Sequence, residues 1–221
     1  MNIVNEDIIA YMDRYYSPLN GELARIRSYG EKRRIPIILP DTEMLMLSLL
    51  KLIKPRNILE IGTAIGYSAL VMATAAPDAK IITVDNDIRG VVKTRQEAEA
   101  MGMSHRIRVV HGDGVKLLEG PDPQVMPDEG SSYEFVFIDA GKSRYREFWD
   151  GARSLSSRGT VILCDNVFMK AMVADDRYDQ EGDFRTSIRR MRDFIDYMMG
   201  FSGIHTSLLP VGDGVSISYV E

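Results

Sequence analysis

The sequence predicts an α/β fold, with a mostly parallel, doubly wound sheet of seven strands and helices on both faces. Two observations favour it. Short apolar runs alternate with helical segments through the middle of the chain, which is typical of parallel βαβ units. The final segment, "HTSLLPVGDGVSISYV", contains two strand-like runs around Gly212-Asp213-Gly214, which predicts a hairpin and hence an antiparallel strand at the C-terminal end.

The predicted elements follow in chain order. Helices are predicted at 5–16, 21–29 and 41–53, before the sheet begins. The central strands are predicted at 57–61, 81–85, 107–111, 134–139 and 160–164, and the helices between them at 67–76, 88–101 and 143–155. Most of these strands are apolar throughout, as a sheet covered on both faces requires. Residues 121–132 are predicted to form a surface loop.

Composition limits the function classes. The chain has 221 residues, of which 45% are apolar and 27% charged, a balance typical of one globular domain. The net charge of −5 argues against a broad surface for nucleic acid, although a local basic patch remains open. Cys164 is the only cysteine, which excludes a disulfide framework. Without a signal-like start or a membrane-length apolar run, we expect a cytoplasmic protein with no membrane partner.

Acidic or amide side chains lie at or just after the ends of five of the predicted strands. They are Glu60, Asp85, Asp113, Asp139 and the pair Asp165-Asn166. Ligands of open parallel sheets bind beyond the carboxyl ends of the strands, and an unpaired carboxylate in a core is costly. The group therefore predicts one site on one rim of the sheet. Taken alone, Asp113 is as readily interpreted as a helix cap.

The segment "ILEIGTAIGYS" indicates nucleoside binding. Gly62 and Gly66 follow the acid Glu60 and allow a ligand to approach the backbone, and Asp85 at the next strand end can accept ribose hydroxyl groups. The spacing differs from the dinucleotide fingerprint, which disfavours a nicotinamide oxidoreductase, and no Walker lysine follows. A nucleoside such as S-adenosylmethionine fits this pattern.

A second group favours metal chemistry. Asp139, Asp165 and Asn166 offer hard oxygen ligands that suit Mg²⁺, with Mn²⁺ or Ca²⁺ as alternatives. The alternative is that Asp165-Asn166 only forms a turn after a strand. Lys142 follows Asp139 by three residues and is a candidate general base, or otherwise a solvated lysine at the start of a helix.

Several motifs carry a family resemblance. "NILEIGTAIGYSAL", "TVDND", "FIDAGKSRY" and "LCDN" resemble the cation-dependent O-methyltransferases, the group of catechol and caffeoyl-CoA O-methyltransferases. Within that group, "DNVFMKAMVA" and "PVGDGVSIS" look most like the bacterial tRNA 5-hydroxyuridine methyltransferases. The resemblance implies a class I, Rossmann-like methyltransferase domain over 1–221, whose N-terminal helices in 1–54 cover the cofactor site.

The resemblance also implies residue roles. Asp139, Asp165 and Asn166 correspond to the metal ligands, and Lys142 with Asp139 to the catalytic pair. The implied cofactor-binding residues are Ile38, Glu60, Gly62, Gly66, Ser68, Asp85, Asp113, Gly114 and Asp139. Gly141 stands where the plant caffeoyl-CoA enzymes have an acid, which argues against that substrate.

The implied reaction transfers a methyl group to 5-hydroxyuridine at the tRNA wobble position and gives 5-methoxyuridine. A small catechol-like acceptor is the alternative, because both acceptors present two adjacent oxygens. A non-catalytic S-adenosylmethionine-binding module would not need the metal-ligand set. We also expect a homodimer.

Two basic stretches are candidates for contacts with tRNA phosphates. Lys32-Arg33-Arg34 is one, and the other is a helix face with Arg185, Arg189 and Arg192, which is alternatively a solvated face. Tyr145, Phe168 or Trp149 could stack on a base, but aromatic residues at such positions more often belong to a core.

Overall fold

The computed structural model describes residues 5–120, 122–128 and 130–221. The helices are α1 (Glu6–Asp13), α2 (Gly21–Arg33), α3 (Pro40–Ile53), α4 (Tyr67–Ala75), α5 (Ile88–Ala100), α6 (Gly114–Leu118), α7 (Tyr145–Ser154) and α8 (Arg185–Met199). The strands are β1 (Asn57–Ile61), β2 (Lys80–Asp85), β3 (Ile107–His111), β4 (Tyr133–Ile138), β5 (Ser156–Cys164), β6 (Ile204–Leu209) and β7 (Val215–Val220).

The seven strands form one sheet in the order β3-β2-β1-β4-β5-β7-β6. The pairs from β3 to β5 are parallel, whereas β7 runs antiparallel to both β5 and β6. This confirms the predicted fold class, including the C-terminal hairpin. The order reverses at β1 and β4, so the carboxyl ends of these strands border the crevice where such sheets bind ligands.

The sheet is covered on both faces, as the apolar strands require. One apolar cluster packs α6, α7 and α8 against the sheet, with Trp149 and Phe194 buried at its centre. The other packs α2 to α5 against the opposite face, with Leu23 and Met46 buried. Among the described residues, every helix is too short or too polar to cross a lipid bilayer.

Some boundaries differ from the predicted ones. A 3₁₀ turn at Lys142–Arg144 precedes α7, and the short α6 was not predicted. The Asp113 carboxylate caps α6 by accepting a hydrogen bond from the Val115 amide at 3.0 Å, so a single capping residue supports five helical residues. Of the predicted loop 121–132, Pro121 and Glu129 lie outside the described residues.

The glycines after β1 are required by the packing of the chain on itself. Gly62 has φ = 103°, and a Cβ there would lie 1.9 Å from the carbonyl oxygen of Asp139. Gly66 has φ = 83°, and its Cβ would overlap the Thr94 side chain. The close approach expected from a ligand is therefore made by the neighbouring strand end and by α5.

Candidate active site

A cavity of about 460 Å³ lies at the carboxyl ends of β1, β2 and β4. Most of the predicted cofactor-binding and catalytic residues line it, namely Ile38, Gly62, Ser68, Asp85, Asp113, Gly114, Asp139, Lys142 and Asn166. Glu60, Gly66 and Asp165 are not among the lining residues. The sheet thus brings together side chains that are far apart in sequence, as the strand-end argument predicts.

Asp85 is held in place by two backbone donors. Its Oδ2 accepts from the Ala64 amide and its Oδ1 from the Asp87 amide, each at 2.8 Å. Each oxygen keeps a lone pair for a further donor. The carboxylate is therefore fixed at the cavity wall in a position suited to receive ribose hydroxyl groups.

Asp113 is both a cap and a cavity residue, so its two sequence interpretations are compatible. Arg144 donates to both carboxylate oxygens, at 3.0 and 2.8 Å, and its guanidinium lowers the pKa of Asp113. Arg144 also lines the cavity but was not predicted, because its position in a 3₁₀ turn gives no periodic signal.

Glu60 lies behind the cavity wall and is fully buried. Its carboxyl group accepts hydrogen bonds from the hydroxyl groups of Ser68 and Thr83. Burial raises the pKa of Glu60 to about 8 because it disfavours the charged form. Through Ser68, which does line the cavity, Glu60 orients a wall residue.

A buried ion pair fixes the N-terminal part of the cavity wall. Arg27 of α2 donates to Glu43 of α3 at 2.7 Å, to the Tyr67 hydroxyl at 3.0 Å and to the backbone carbonyl of Ile38 at 3.0 Å. Tyr16 adds a hydrogen bond to Glu43 at 2.8 Å. These partners are up to 51 residues apart, so no local pattern could reveal the network.

The second predicted group meets around Lys142. Its Nζ lies 3.1 Å from Asp139 Oδ1, 2.7 Å from Asn166 Oδ1 and 3.0 Å from the Tyr145 hydroxyl. Tyr145 in turn donates to the backbone carbonyl of Asp165 at 2.8 Å. A positive charge therefore already lies between two of the predicted metal ligands.

The donor set of this group fits a hard divalent cation. Asp165 is almost completely buried beside Asp139, and burial first and this neighbour second raise its pKa to about 8, so a cation would favour its ionised form. Asn166 has φ = 56°, a left-handed conformation that asparagine tolerates better than most residues. The described residues contain no cluster of three or more His, Cys, Asp or Glu side chains suited to a metal ion, since this set has two carboxylates and one amide.

A second cavity, of about 700 Å³, adjoins the first. We call it the acceptor-side cavity, and it is lined by Lys142, Ser143, Met169, Lys170, Met172, Tyr178, Asp179, Gln180, Glu181, Asp183, Phe184, Ser187 and Asp213. Lys142 lines both cavities. Most of this lining comes from the irregular segment between β5 and α8, which the sequence analysis did not assign.

The candidate RNA-binding residues fall into two classes. Trp149 and Tyr145 are buried in the core, as the more frequent role of such aromatic residues indicated, and neither is accessible for stacking on a base. Phe168 is half-buried and packs against Gly214. Lys32, Arg33, Arg34, Arg185 and Arg189 are exposed, whereas Arg192 is half-buried and bonded to the chain itself. The predicted single basic face is therefore only partly free to contact a ligand.

The chain resembles known O-methyltransferases in sequence and in structure. The family model described as "O-methyltransferase" matches residues 18–219. The catechol O-methyltransferase of Niastella koreensis is 31% identical over 180 residues, covering 78% of this chain and 80% of that protein. A caffeoyl-CoA O-methyltransferase of Nicotiana tabacum is 30% identical over 185 residues, covering 80% and 74%. The structure of an O-methyltransferase from Bacillus cereus in complex with SAH superposes with a TM-score of 0.82 at 22% identity, covering 97% of each chain.

Proposed function

Since the chain belongs to the O-methyltransferase family, we propose that it transfers the methyl group of S-adenosylmethionine to the hydroxyl of 5-hydroxyuridine at the tRNA wobble position. The observation that carries this proposal is the position of Lys142 at the junction of two cavities. A nucleoside-sized cavity with a fixed acid lies on one side, and a larger one lined by half-buried Tyr178 and exposed Phe184 lies on the other. A donor and an acceptor would meet at this junction.

In this proposal the residues of the first cavity bind and orient the donor. Asp85 receives the ribose hydroxyl groups, Asp113 and Gly114 border the adenine, and Ser68 with the Ile38 backbone borders the methionine part. S-adenosylmethionine supplies an electrophilic methyl group on its sulfonium. Because the buried bonds of Arg27 and Glu60 hold this wall, the donor is oriented before the acceptor arrives, and such positioning supplies much of the rate of a bimolecular transfer.

Lys142 and its neighbours handle the acceptor proton. In its neutral amine form, Lys142 Nζ takes the proton from the acceptor hydroxyl and becomes the ammonium, while the Tyr145 hydroxyl and Asp139 keep the nitrogen in place. Asp139, Asp165 and Asn166 would hold a divalent cation, Mg²⁺ in the first instance, which would supply positive charge that lowers the pKa of a nearby hydroxyl. Asp139 borders both the donor and this cation position.

A small catechol-type acceptor is the second candidate. It is favoured by the name of the Niastella koreensis relative, a catechol O-methyltransferase. Both acceptors present two adjacent oxygens, so the residues around Lys142 would serve either. The acceptor-side cavity favours the larger acceptor, since about 700 Å³ exceeds the space that a single ring fills.

The expected homodimer is supported by α1, none of whose residues is buried. Ile8 and Tyr11 of this helix, and Tyr15 just after it, are each more than half exposed, which leaves an apolar face for a second copy. Light scattering of the purified protein would test this. The cytoplasmic location stays a prediction.

The experiment that tests the proposed acceptor compares tRNA nucleosides by mass spectrometry in a host strain with and without the gene. The proposal predicts that 5-methoxyuridine disappears and 5-hydroxyuridine accumulates when the gene is absent. An unchanged nucleoside profile, together with turnover of catechol by the purified protein, would assign the enzyme to small-molecule acceptors.

A further inference from the structure

The wall of the acceptor-side cavity has little regular structure of its own. Apart from a 3₁₀ turn at Asp176–Tyr178, the chain between β5 and α8 forms turns and irregular loop. Three successive residues in it, Met169, Lys170 and Ala171, have φ of 47°, 55° and 66°. Left-handed backbone at residues other than glycine persists only where the surrounding structure imposes it. Contacts from elsewhere must therefore hold this wall.

Helix α8 supplies such contacts through Arg192. Its Nε donates to the carbonyl oxygen of Val173 at 2.8 Å, and its Nη2 donates to that of Met172 at 3.0 Å. The same Nη2 lies 2.8 Å from Asp176 Oδ1. One guanidinium thus joins three acceptors along 172–176, a span that includes the cavity-lining residue Met172.

The helix that carries Arg192 is itself anchored. Ile188, Met191, Phe194 and Met198 are buried in the core on one face of α8. From the same helix, Arg190 donates to the carbonyl oxygen of Ser143 at 3.0 Å, next to Lys142. The two arginines therefore tie both sides of the acceptor-side cavity to one rigid helix.

We propose that Arg192 is a positioning residue for the methyl acceptor, which fixes the Met172–Asp176 wall of the acceptor-side cavity without touching the substrate. This inference rests on the proposed function. A planar guanidinium fork can bond two adjacent carbonyls and a carboxylate at once, whereas the single ammonium of lysine cannot reproduce that geometry. Arg192 therefore sets the affinity and placement of the acceptor and leaves the donor cavity unchanged.

The rival role for Arg192 is a phosphate contact, and lysine distinguishes the two. Arg192→Lys keeps the charge and hence most of a phosphate contact, but it loses the fork. We expect Arg192→Lys and Arg192→Met to raise the acceptor KM by about tenfold, which is within the loss that a 1 Å misplacement can cause. The two acceptors to be used are 3,4-dihydroxybenzoate and an anticodon stem-loop carrying 5-hydroxyuridine. The Kd for S-adenosylmethionine, measured by titration calorimetry, should change less than about twofold.

A measurement without any acceptor separates this inference from the proposed function. Hydrogen exchange of the amides at 173–176 should accelerate in both Arg192 variants and, to a smaller extent, in Asp176→Ala, which removes one of the three contacts. Arg158→Met, an exposed arginine at the start of β5, should leave exchange and KM unchanged. If the wild type methylates neither probe, the proposed acceptors are wrong, but the exchange result still tests whether Arg192 holds the Met172–Asp176 wall.

Two results would overturn the inference. One is unchanged exchange at 173–176 in folded Arg192→Met. The other is a wild-type acceptor KM in Arg192→Lys combined with a raised one in Arg192→Met, because a role that lysine rescues needs only the charge. If Arg192→Met fails to fold, Arg192→Lys decides the matter by the same exchange measurement, because it loses the fork and keeps the charge.

Discussion

The Lys142 ammonium lies 2.7 Å from the side-chain oxygen of Asn166, although the two residues are 24 positions apart. Lys142 comes from the turn after β4 and Asn166 from the end of β5, and these two strands are parallel neighbours. The contact therefore depends on the sheet itself. It places a base candidate and a metal-ligand candidate at one point, between the cofactor cavity and the acceptor-side cavity.

Asp85→Ala should weaken the binding of S-adenosylmethionine by about 1–3 kcal/mol, the cost of leaving charge-assisted hydrogen bonds unmade. The loop amides of Ala64 and Asp87 hold this carboxylate at the cavity wall. Titration calorimetry measures the change. Asp87→Asn is the matched control, since this half-exposed cap lies two residues away and does not line the cavity. Equal affinity in wild type and folded Asp85→Ala would refute the ribose assignment.

Glu60 should make the stability of the protein fall as the pH rises through the neutral range. Burial raises its pKa from an ordinary value of 4.5 to about 8. In that window the folded protein keeps a proton that the unfolded chain has released, so the contribution is complete below the lower value and is lost as the pH approaches the upper one. Urea unfolding at several pH values should show a flatter profile for Glu60→Gln than for wild type.

The control for this pH effect is Glu99→Gln, since Glu99 is exposed at the end of α5. Its profile should follow that of the wild type. Parallel profiles for wild type and Glu60→Gln would mean that Glu60 does not carry the proton.

Ala171→Gly should stabilise the protein, which is unusual for a substitution to glycine. Ala171 has φ = 66°, where a Cβ costs about 1–2 kcal/mol. Glycine removes this cost, but its greater freedom in the unfolded chain offsets about 0.4–1 kcal/mol of the gain. We expect a net gain of about 0.5–1 kcal/mol in the free energy of unfolding. Ala174→Gly, without a positive φ, should destabilise instead. A loss of stability in Ala171→Gly would show that the strain lies elsewhere.

The exposed arginines of α8 should contact phosphates if tRNA is the acceptor. Arg185→Glu with Arg189→Glu should weaken tRNA binding and flatten its salt dependence by up to about one unit of log–log slope per lost contact. Methylation of a free catechol should be unaffected, because it involves only the two cavities. Arg158→Glu, at the opposite end of the sheet, is the control. If catechol turnover falls equally, these arginines support the fold rather than the substrate.

The strand ends could be predicted from sequence, and the cavity contacts largely could not. Apolar runs that end at Asp85, Asp139 and Asp165 identify both the strands and the acidic side chains at their ends. The geometry of the sheet then brings these ends together. The bond between Arg27 and the Ile38 carbonyl depends on how two helices pack, which no local pattern shows. Tyr178 and Phe184 lie on an irregular segment, where periodicity gives no signal.

The two glycines after β1 were also only partly interpretable from the sequence. Gly62 and Gly66 correctly mark a tight turn beside the site, but the atoms that exclude a side chain belong to Asp139 and Thr94. A pattern of glycines indicates close approach without saying what approaches. Likewise, the spacing of Arg185, Arg189 and Arg192 predicted one face, yet half-buried Arg192 bonds to the chain.

The proposed metal requirement is tested by a double variant beside the wild type. Asp165→Ala with Asn166→Ala should abolish methyl transfer and leave S-adenosylmethionine binding largely intact, because the proposed contacts of the nucleoside are with Asp85 and Asp113. Calorimetry and thermal unfolding show whether the variant is folded and binds the donor. Retained methyl transfer in this variant would remove these residues from the chemistry.

The most direct test of the account is methyl transfer from labelled S-adenosylmethionine to an anticodon stem-loop carrying 5-hydroxyuridine, with EDTA and after Mg²⁺ is restored. The same stem-loop with unmodified uridine is the control. The proposed function predicts transfer to the 5-hydroxyl only when Mg²⁺ is present. Full transfer in EDTA, or no transfer to the hydroxylated stem-loop with Mg²⁺ present, would contradict it.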